Sequence, residues 1–438
     1  MKLIKRLLLL PLCFALTTAQ AEDLIDIYQL ALKNDPQLQV SKQQLDAARE
    51  SKNLAKSQLL PSIGIGATFD EVRRDIKDAA PTVDNPSTYN ETGLGLNLTQ
   101  PIYRRDRLMQ LEQADSTIAQ AEAQFAAAEI DLMVRSTTAY FNILSAQDDV
   151  KVAHAEREAT NRQLEQAQQR FDVGLIAITD VHEAQAAYDA ARAAAIASEN
   201  SLDNAWEALF EIVGPQAKGS LATLGDGLKM TPPVPNDLQA WSDTAQQQNY
   251  GIIASNANLE ILNKQVEVSR SGHYPTLDLV GGYNISRSSS DTATEADLAS
   301  IGLQLQVPIY TGGGVSALTR QSLANYRAAQ QTLDQTRRSV NRQVRDAFRG
   351  VLSSISQVEA LKAATISAQS ALESTQAGYE VGTRTIVDVL NVQQNLFSSQ
   401  RDYYNSRYGY IINGLTLKSA AGTLSNEDLQ RVNSWLEH

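Results

Sequence analysis

The chain has 438 residues, 43% hydrophobic and 20% charged, with a formal net charge of −12 and one cysteine, Cys13. That acidic balance excludes the basic footprint of a nucleic-acid binder and suits a solvated surface or a cation-preferring lumen. A single cysteine excludes an internal disulfide framework and a cysteine metal site.

Residues 1–21 read as a signal peptide: Lys2, Lys5 and Arg6 form a basic start, Leu7 to Leu16 an apolar core, and Ala19-Gln20-Ala21 a small-residue cleavage site. The mature chain is expected to begin at Glu22. A lipidation reading of Cys13 fails on Leu12, which is too large for the residue before a lipidated cysteine. Processing removes Cys13 and three positive charges, leaving 35 basic against 50 acidic residues and a net charge of −15. No later segment reaches the roughly 18 apolar residues of a spanning helix. If this exported chain crosses a membrane, it must do so as β-strands.

Residues 22–214 form a first structural repeat. Glu22 to Leu32 reads as a short helix, and Asn34-Asp35-Pro36 opens a second that ends before Pro61. The residue before a proline is driven towards extended geometry, so Leu60-Pro61 marks a switch. The period then changes from 3.6 to 2. Ile63, Ile65, Ala67 and Phe69 alternate with small or polar residues, as do Leu94, Leu96 and Leu98. This predicts a strand pair over about 62–100 with one apolar face. The polar segment between the strands, with Pro81 and Asn85-Pro86, reads as an exposed loop. A long helix over 104–170 follows, 67 residues without proline or glycine. As one helix it would span about 100 Å. Leu111, Ala114, Ile118, Ala121, Phe125, Ala128 and Leu132 step by three and four along it, the seam of a coiled coil. A turn over 171–180 leads to a half-length helix over 180–213.

Residues 215–237 read as a linker with little regular structure, residues 238–422 as a second repeat, and residues 423–438 as a tail with a short amphipathic helix. In the second repeat Leu277, Leu279, Gly281, Tyr283 and Ile285 pattern one strand and Ile301, Leu303, Leu305 and Val307 the next, a pair over about 276–307. Long helices over 317–377 and 388–420 follow. The junctions also recur: Leu60-Pro61 matches Tyr274-Pro275, and Gln100-Pro101-Ile102-Tyr103 matches Val307-Pro308-Ile309-Tyr310. The chain is one tandem duplication rather than a many-copy solenoid.

The clearest sign of duplication is the turn itself. Phe171-Asp172-Val173-Gly174 reappears 208 positions later as Tyr379-Glu380-Val381-Gly382, and both continue through five residues to Asp-Val. A glycine stop followed by an acidic start is how one helix ends and the next begins. In this structural reading Asp180 and Asp388 are helix N-caps.

Four strands cannot close a membrane barrel, since the smallest have about eight. Open sheet edges in lipid leave backbone groups unpaired, so the barrel must be composite. Two chains give eight strands and three give twelve. The long helices, with narrow apolar seams, require neighbours as well.

These features together resemble the TolC family of bacterial outer-membrane efflux ducts, over the whole mature chain. The resemblance implies an α+β membrane protein: a homotrimer whose single 12-stranded β-barrel, four strands per chain, continues into a long coiled-coil α-barrel in the periplasm. It further implies outer-membrane lipid around the barrel, a periplasmic adaptor, an inner-membrane RND or ABC transporter as partners, and drugs or secreted proteins as cargo. By motif, Arg384 would bond Thr179 of a neighbouring coil, Tyr379 would bond Asp180, and Asp388 would line the narrowest part of the pore. One turn further in, where the family carries a second aspartate, this chain has Asn391.

Other signals carry no chemistry. His154, His182, His273 and His438 lack metal-ligand spacing, and Thr311-Gly312-Gly313-Gly314 lacks the Lys-Ser/Thr of a phosphate loop. No nucleophile, base and acid are grouped as in hydrolases. The expectation is therefore no cofactor, no metal and no catalysis. The alternative is a soluble periplasmic coiled-coil adaptor or scaffold, although adaptors usually carry one hairpin where this chain carries two.

Overall fold

The computed structural model describes residues 22–75, 77, 87–215, 220–225, 227–290 and 295–437. The expected signal peptide with Cys13, the Pro81 and Asn85-Pro86 loop positions, part of the linker, and His438 lie outside the described residues. The elements in order are α1 (Leu24–Asn34), α2 (Pro36–Ser57), β1 (Ser62–Arg74), β2 (Ser87–Tyr103), α3 (Arg105–Asp172), α4 (Ile178–Val213) and β3 (Thr223–Leu224). Then come α5 (Leu238–Gln248), α6 (Tyr250–Arg270), β4 (Thr276–Ser288), β5 (Ala296–Gln306), α7 (Gly314–Glu380), α8 (Ile386–Ala421), α9 (Asn426–Asn433) and β6 (Leu436–Glu437). Among the described residues no helix is long and apolar enough to cross a membrane.

The chain divides into two compact units. Residues 40–127 and 246–340 carry the sheet, with order β1-β2-β4-β5 and every pair antiparallel. The two hairpins join through β2 and β4, so the duplicated halves make one sheet. Its register aligns Ile63 with Leu98, Gly281 and Ile301, and Ile65 with Leu96, Tyr283 and Ala299. The opposite face aligns Gly64 with Asn97, Gly282 and Ser300. One face is thus an apolar ladder and the other small and polar, as the period-2 pattern requires. The apolar face is uncovered: Ile65 and Ile301 are each 76% exposed. Among the described residues the outward sides of β1 and β5 have no strand partner. β2 continues past the expected end at 100, through a register shift between Pro101 and Tyr103. Proline donates no hydrogen bond, so it sits where the ladder is irregular. Just beyond, Arg104 Nε and Nη2 donate to the Asp278 carboxylate at 3.0 and 2.5 Å, joining the start of α3 to β4.

The second unit comprises residues up to 39, 128–245 and 341–438. Its core sets Tyr140, Phe141, Ile143 and Leu144 of α3 with Leu24 and Ile27 of α1, Leu209 of α4 and Leu417 of α8, all nearly inaccessible. Tyr140 and Phe141 meet edge to face at 5.5 Å, and the Tyr140 hydroxyl donates to the Ala222 carbonyl at 2.8 Å. Asp35, 2% exposed, receives Nη1 and Nη2 of Arg135 at 2.8 and 3.1 Å and caps α2 by accepting from Leu38 N–H at 2.6 Å. Asn34 donates to the Val213 carbonyl at 2.7 Å, so α4 ends where α2 begins.

The regular structure within the linker is short: β3 pairs antiparallel with β6, and Leu221 bridges Glu22. The helix expected from Asn426 to His438 is shorter, because α9 ends at Asn433 and the chain then turns into β6. Two-residue strands carry no periodicity; they exist because distant backbone groups satisfy one another.

Candidate gating site at the paired helix turns

Both turns lie in the unit that contains α8. α3 ends at Asp172, and Gly174 takes φ +76° while Leu175 N–H reaches back to the Arg170 carbonyl at 2.8 Å. α7 ends at Glu380, and Gly382 takes φ +79° while Thr383 N–H reaches the Gly378 carbonyl at 2.8 Å. A side chain strains this left-handed geometry, so glycine stops both helices.

The starts of the following helices differ from the N-cap reading. The N-caps are Ala177 and Thr385, three residues before Asp180 and Asp388. Thr385 and Asp388 form a reciprocal capping box: Thr385 N–H and Oγ1 donate to Asp388 Oδ2, both at 2.9 Å, and Asp388 N–H donates to Thr385 Oγ1 at 3.2 Å. An acid at the third helical position serves a cap without being one. The first turn has no such box, because Ala177 offers no side-chain oxygen. The Thr179 hydroxyl reaches only its neighbour, Asp180 Oδ1, at 3.5 Å.

The second turn is the more constructed. Ile386 and Val389 are buried, and Val389 packs with Leu372, Leu396 and the ring of Tyr379. The Arg170 guanidinium lies 4.7 Å over that ring, tying the end of α3 to the end of α7 by a cation–π contact. The Tyr379 hydroxyl is shielded from solvent and has no hydrogen-bond partner among the described residues. Arg384 is exposed and folds back over the end of α7; a β-carbon at Gly378 would stand 2.8 Å from its Cγ. The bonds from Thr385, joined by the charge of Arg384, hold the Asp388 carboxyl below the usual aspartate value of 3.8. Within one chain no hydrogen bond links Arg384 to Thr179 or Tyr379 to Asp180. Sequence reasoning missed Arg170 and Thr385. The Ser/Thr-x-x-acid spacing pointed to Thr385, whereas nothing local marks Arg170, 209 positions from Tyr379.

This architecture agrees with the comparisons. The family described as outer membrane efflux protein matches residues 27–215 and again 241–423, once per repeat. The chain is similar to outer membrane protein TolC of Vibrio cholerae, with 40% identity over 422 residues covering 95% of this chain and 94% of that one. It is 28% identical over 426 residues to the proteases secretion protein PrtF of Dickeya chrysanthemi, covering 96% and 92% of the two chains. The Campylobacter jejuni CmeC outer membrane channel superposes with a TM-score of 0.81 at 19% identity, covering 95% and 90%, a likeness of fold. The chain belongs to the outer membrane efflux protein family.

Proposed function

We propose that this outer-membrane exit duct is a passive homotrimer, gated at its two helix turns, that serves both efflux and type I secretion. Its partners are a periplasmic adaptor and an inner-membrane RND or ABC transporter, which supply the energy and select the cargo; the duct performs no catalysis. The observation that carries the reading is the four-stranded sheet with an uncovered apolar face and two unpaired outer edges, joined to two long helical hairpins. Three such sheets supply twelve strands and leave no edge in lipid. The likeness to channel and secretion proteins supports the cargo classes. In the gate, Tyr379 and Arg384 reach Asp180 and Thr179 of a neighbouring coil, and Asp388 faces the lumen. One carboxylate ring remains at this level, since Asn391 is neutral.

Planar bilayers test this. Wild-type channels should prefer cations, and Asp388→Asn should weaken that preference and the block by multivalent cations. Because the Asp388 carboxyl sits below its ordinary value, it stays ionised as pH falls. Its share of selectivity should outlast the pH at which an ordinary aspartate protonates and disappear only as pH falls through the lowered value. The capping box has the same sign: its contribution is full above the unfolded value and fades as pH falls through the lowered one. Absence of channels in the wild type sinks the duct reading; unchanged selectivity in Asp388→Asn removes Asp388 from the pore.

A further inference from the structure

Where the sheet meets the helices, one cluster has no role in the gate. α6 ends at Arg270, Tyr274 leads into β4, and α3 begins at Arg105 immediately after β2. Glu267 of α6 receives Arg270 Nη1 at 2.6 Å and faces Arg105 Nη2 at 3.8 Å. Two guanidiniums thus share one carboxylate, leaving an excess positive charge, while the adjacent Asp106 and Arg107 offset each other. Arg105 lies 4.8 Å over the ring of Tyr274. Its Nε is shielded from solvent without a partner, and among the described residues no hydrogen bond uses any of its side-chain donors. Arg104 is different: its Nε and Nη2 both donate to Asp278.

The cluster borders the lipid-facing side of the sheet. Tyr103, at the end of β2, registers with Leu277, which registers with Leu305, the last row of the apolar ladder. Ile102, Tyr103 and Leu108 are 53%, 39% and 41% exposed beside Arg105. An apolar band edged by tyrosine and then by arginine is the order found across a membrane interface: acyl chain, aromatic belt, headgroup. Arginine's planar fork suits phosphate, and stacking on Tyr274 pre-orients it.

We infer that Arg105, stacked on Tyr274, and Arg270 bind the phosphate of a glycerophospholipid in the periplasm-facing leaflet. The acyl chains of that lipid lie against Ile102, Tyr103 and Leu108. The inference rests on the sheet lying in the membrane.

Native mass spectrometry of the detergent-solubilised full-length protein with added phosphatidylglycerol tests it. The double variant Arg105→Gln/Arg270→Gln should bind about thirtyfold more weakly, the sum of two interfacial arginine contributions. Glu267→Gln, which removes the competing carboxylate, should bind more tightly than wild type. Inorganic phosphate should not displace the lipid. Undiminished binding by the double variant overturns the site. Displacement by inorganic phosphate assigns it to a free anion and overturns the lipid. If the double variant fails to assemble, Glu267→Gln decides, and equal or weaker binding there overturns the site. A detergent belt on every variant keeps this outcome separate from membrane placement: a wild type without one refutes the placement itself.

Discussion

Replacing Arg384 by Glu together with Tyr379 by Phe should raise single-channel conductance severalfold. In the proposed latch both residues meet a neighbouring coil; within one chain no hydrogen bond links them to Thr179 or Asp180. Tyr379 presents a hydroxyl that is shielded from solvent and unpaired, a condition that costs about 1–3 kcal/mol until a partner is supplied. Its ring is fixed by Arg170 above and by Val389 and Leu372 beside it, so the hydroxyl cannot swing freely towards water. In the proposed assembly the partner is Asp180, which Ala177 leaves without a capping role. Phenylalanine keeps the ring contacts and removes only this bond. Glutamate at position 384 reverses the charge that would meet Thr179 and adds repulsion from Asp388. Either single change should open the channel less than the pair. Unchanged conductance in the double variant, with channels still forming, would count against the latch.

The second large effect concerns stability rather than gating. Arg135→Met should destabilise the helical unit by about 3–5 kcal/mol, the usual consequence of leaving one member of a buried ion pair alone. Asp35 is 2% exposed and depends on Arg135 for two hydrogen bonds. Burial pushes its carboxyl upward, but the bonds from Arg135, with the N–H groups of Leu38 and Gln37, bring it below its ordinary value. In the wild type that stabilisation is complete above the unfolded value and lost as pH falls through the lowered folded one. In the variant only the Leu38 and Gln37 N–H groups still oppose burial, so protonating Asp35 relieves part of the cost. The gap in melting temperature should therefore be wide at neutral pH and close as the solution is acidified. A gap independent of pH would mean that lost packing by Arg135, rather than the stranded Asp35 charge, sets the penalty.

Much of this architecture was legible because repetition and period are local. Alternation fixed both hairpins, and the register placed Ile63, Leu98 and Ile301 on the expected common face. Val-Gly followed by Asp-Val marked both turns. What escaped depends on distance along the chain. The Arg135–Asp35 pair spans 100 residues, and Arg170 over Tyr379 spans 209. No window of sequence contains either pair. The pairing of β3 with β6 was invisible for the same reason: its two residues per strand hold no pattern. The caps failed differently. Asp is a common N-cap, yet here a threonine three residues earlier offered a reciprocal pair of bonds, and the first turn placed alanine in that position. The two copies consequently diverge in mechanism as well as in sequence. One has a closed capping box, an oriented tyrosine and a free arginine; the other keeps only Thr179 and an acid without a capping bond.

In the proposed assembly one chain supplies a third of a closed barrel in the outer membrane. Fractionation followed by native mass measurement distinguishes this from a lone soluble chain. The protein should sediment with outer membranes, resist salt, require detergent for release, and then run as an assembly of three chains carrying a detergent belt. Full release by salt alone as a single chain would contradict the duct and favour a soluble adaptor.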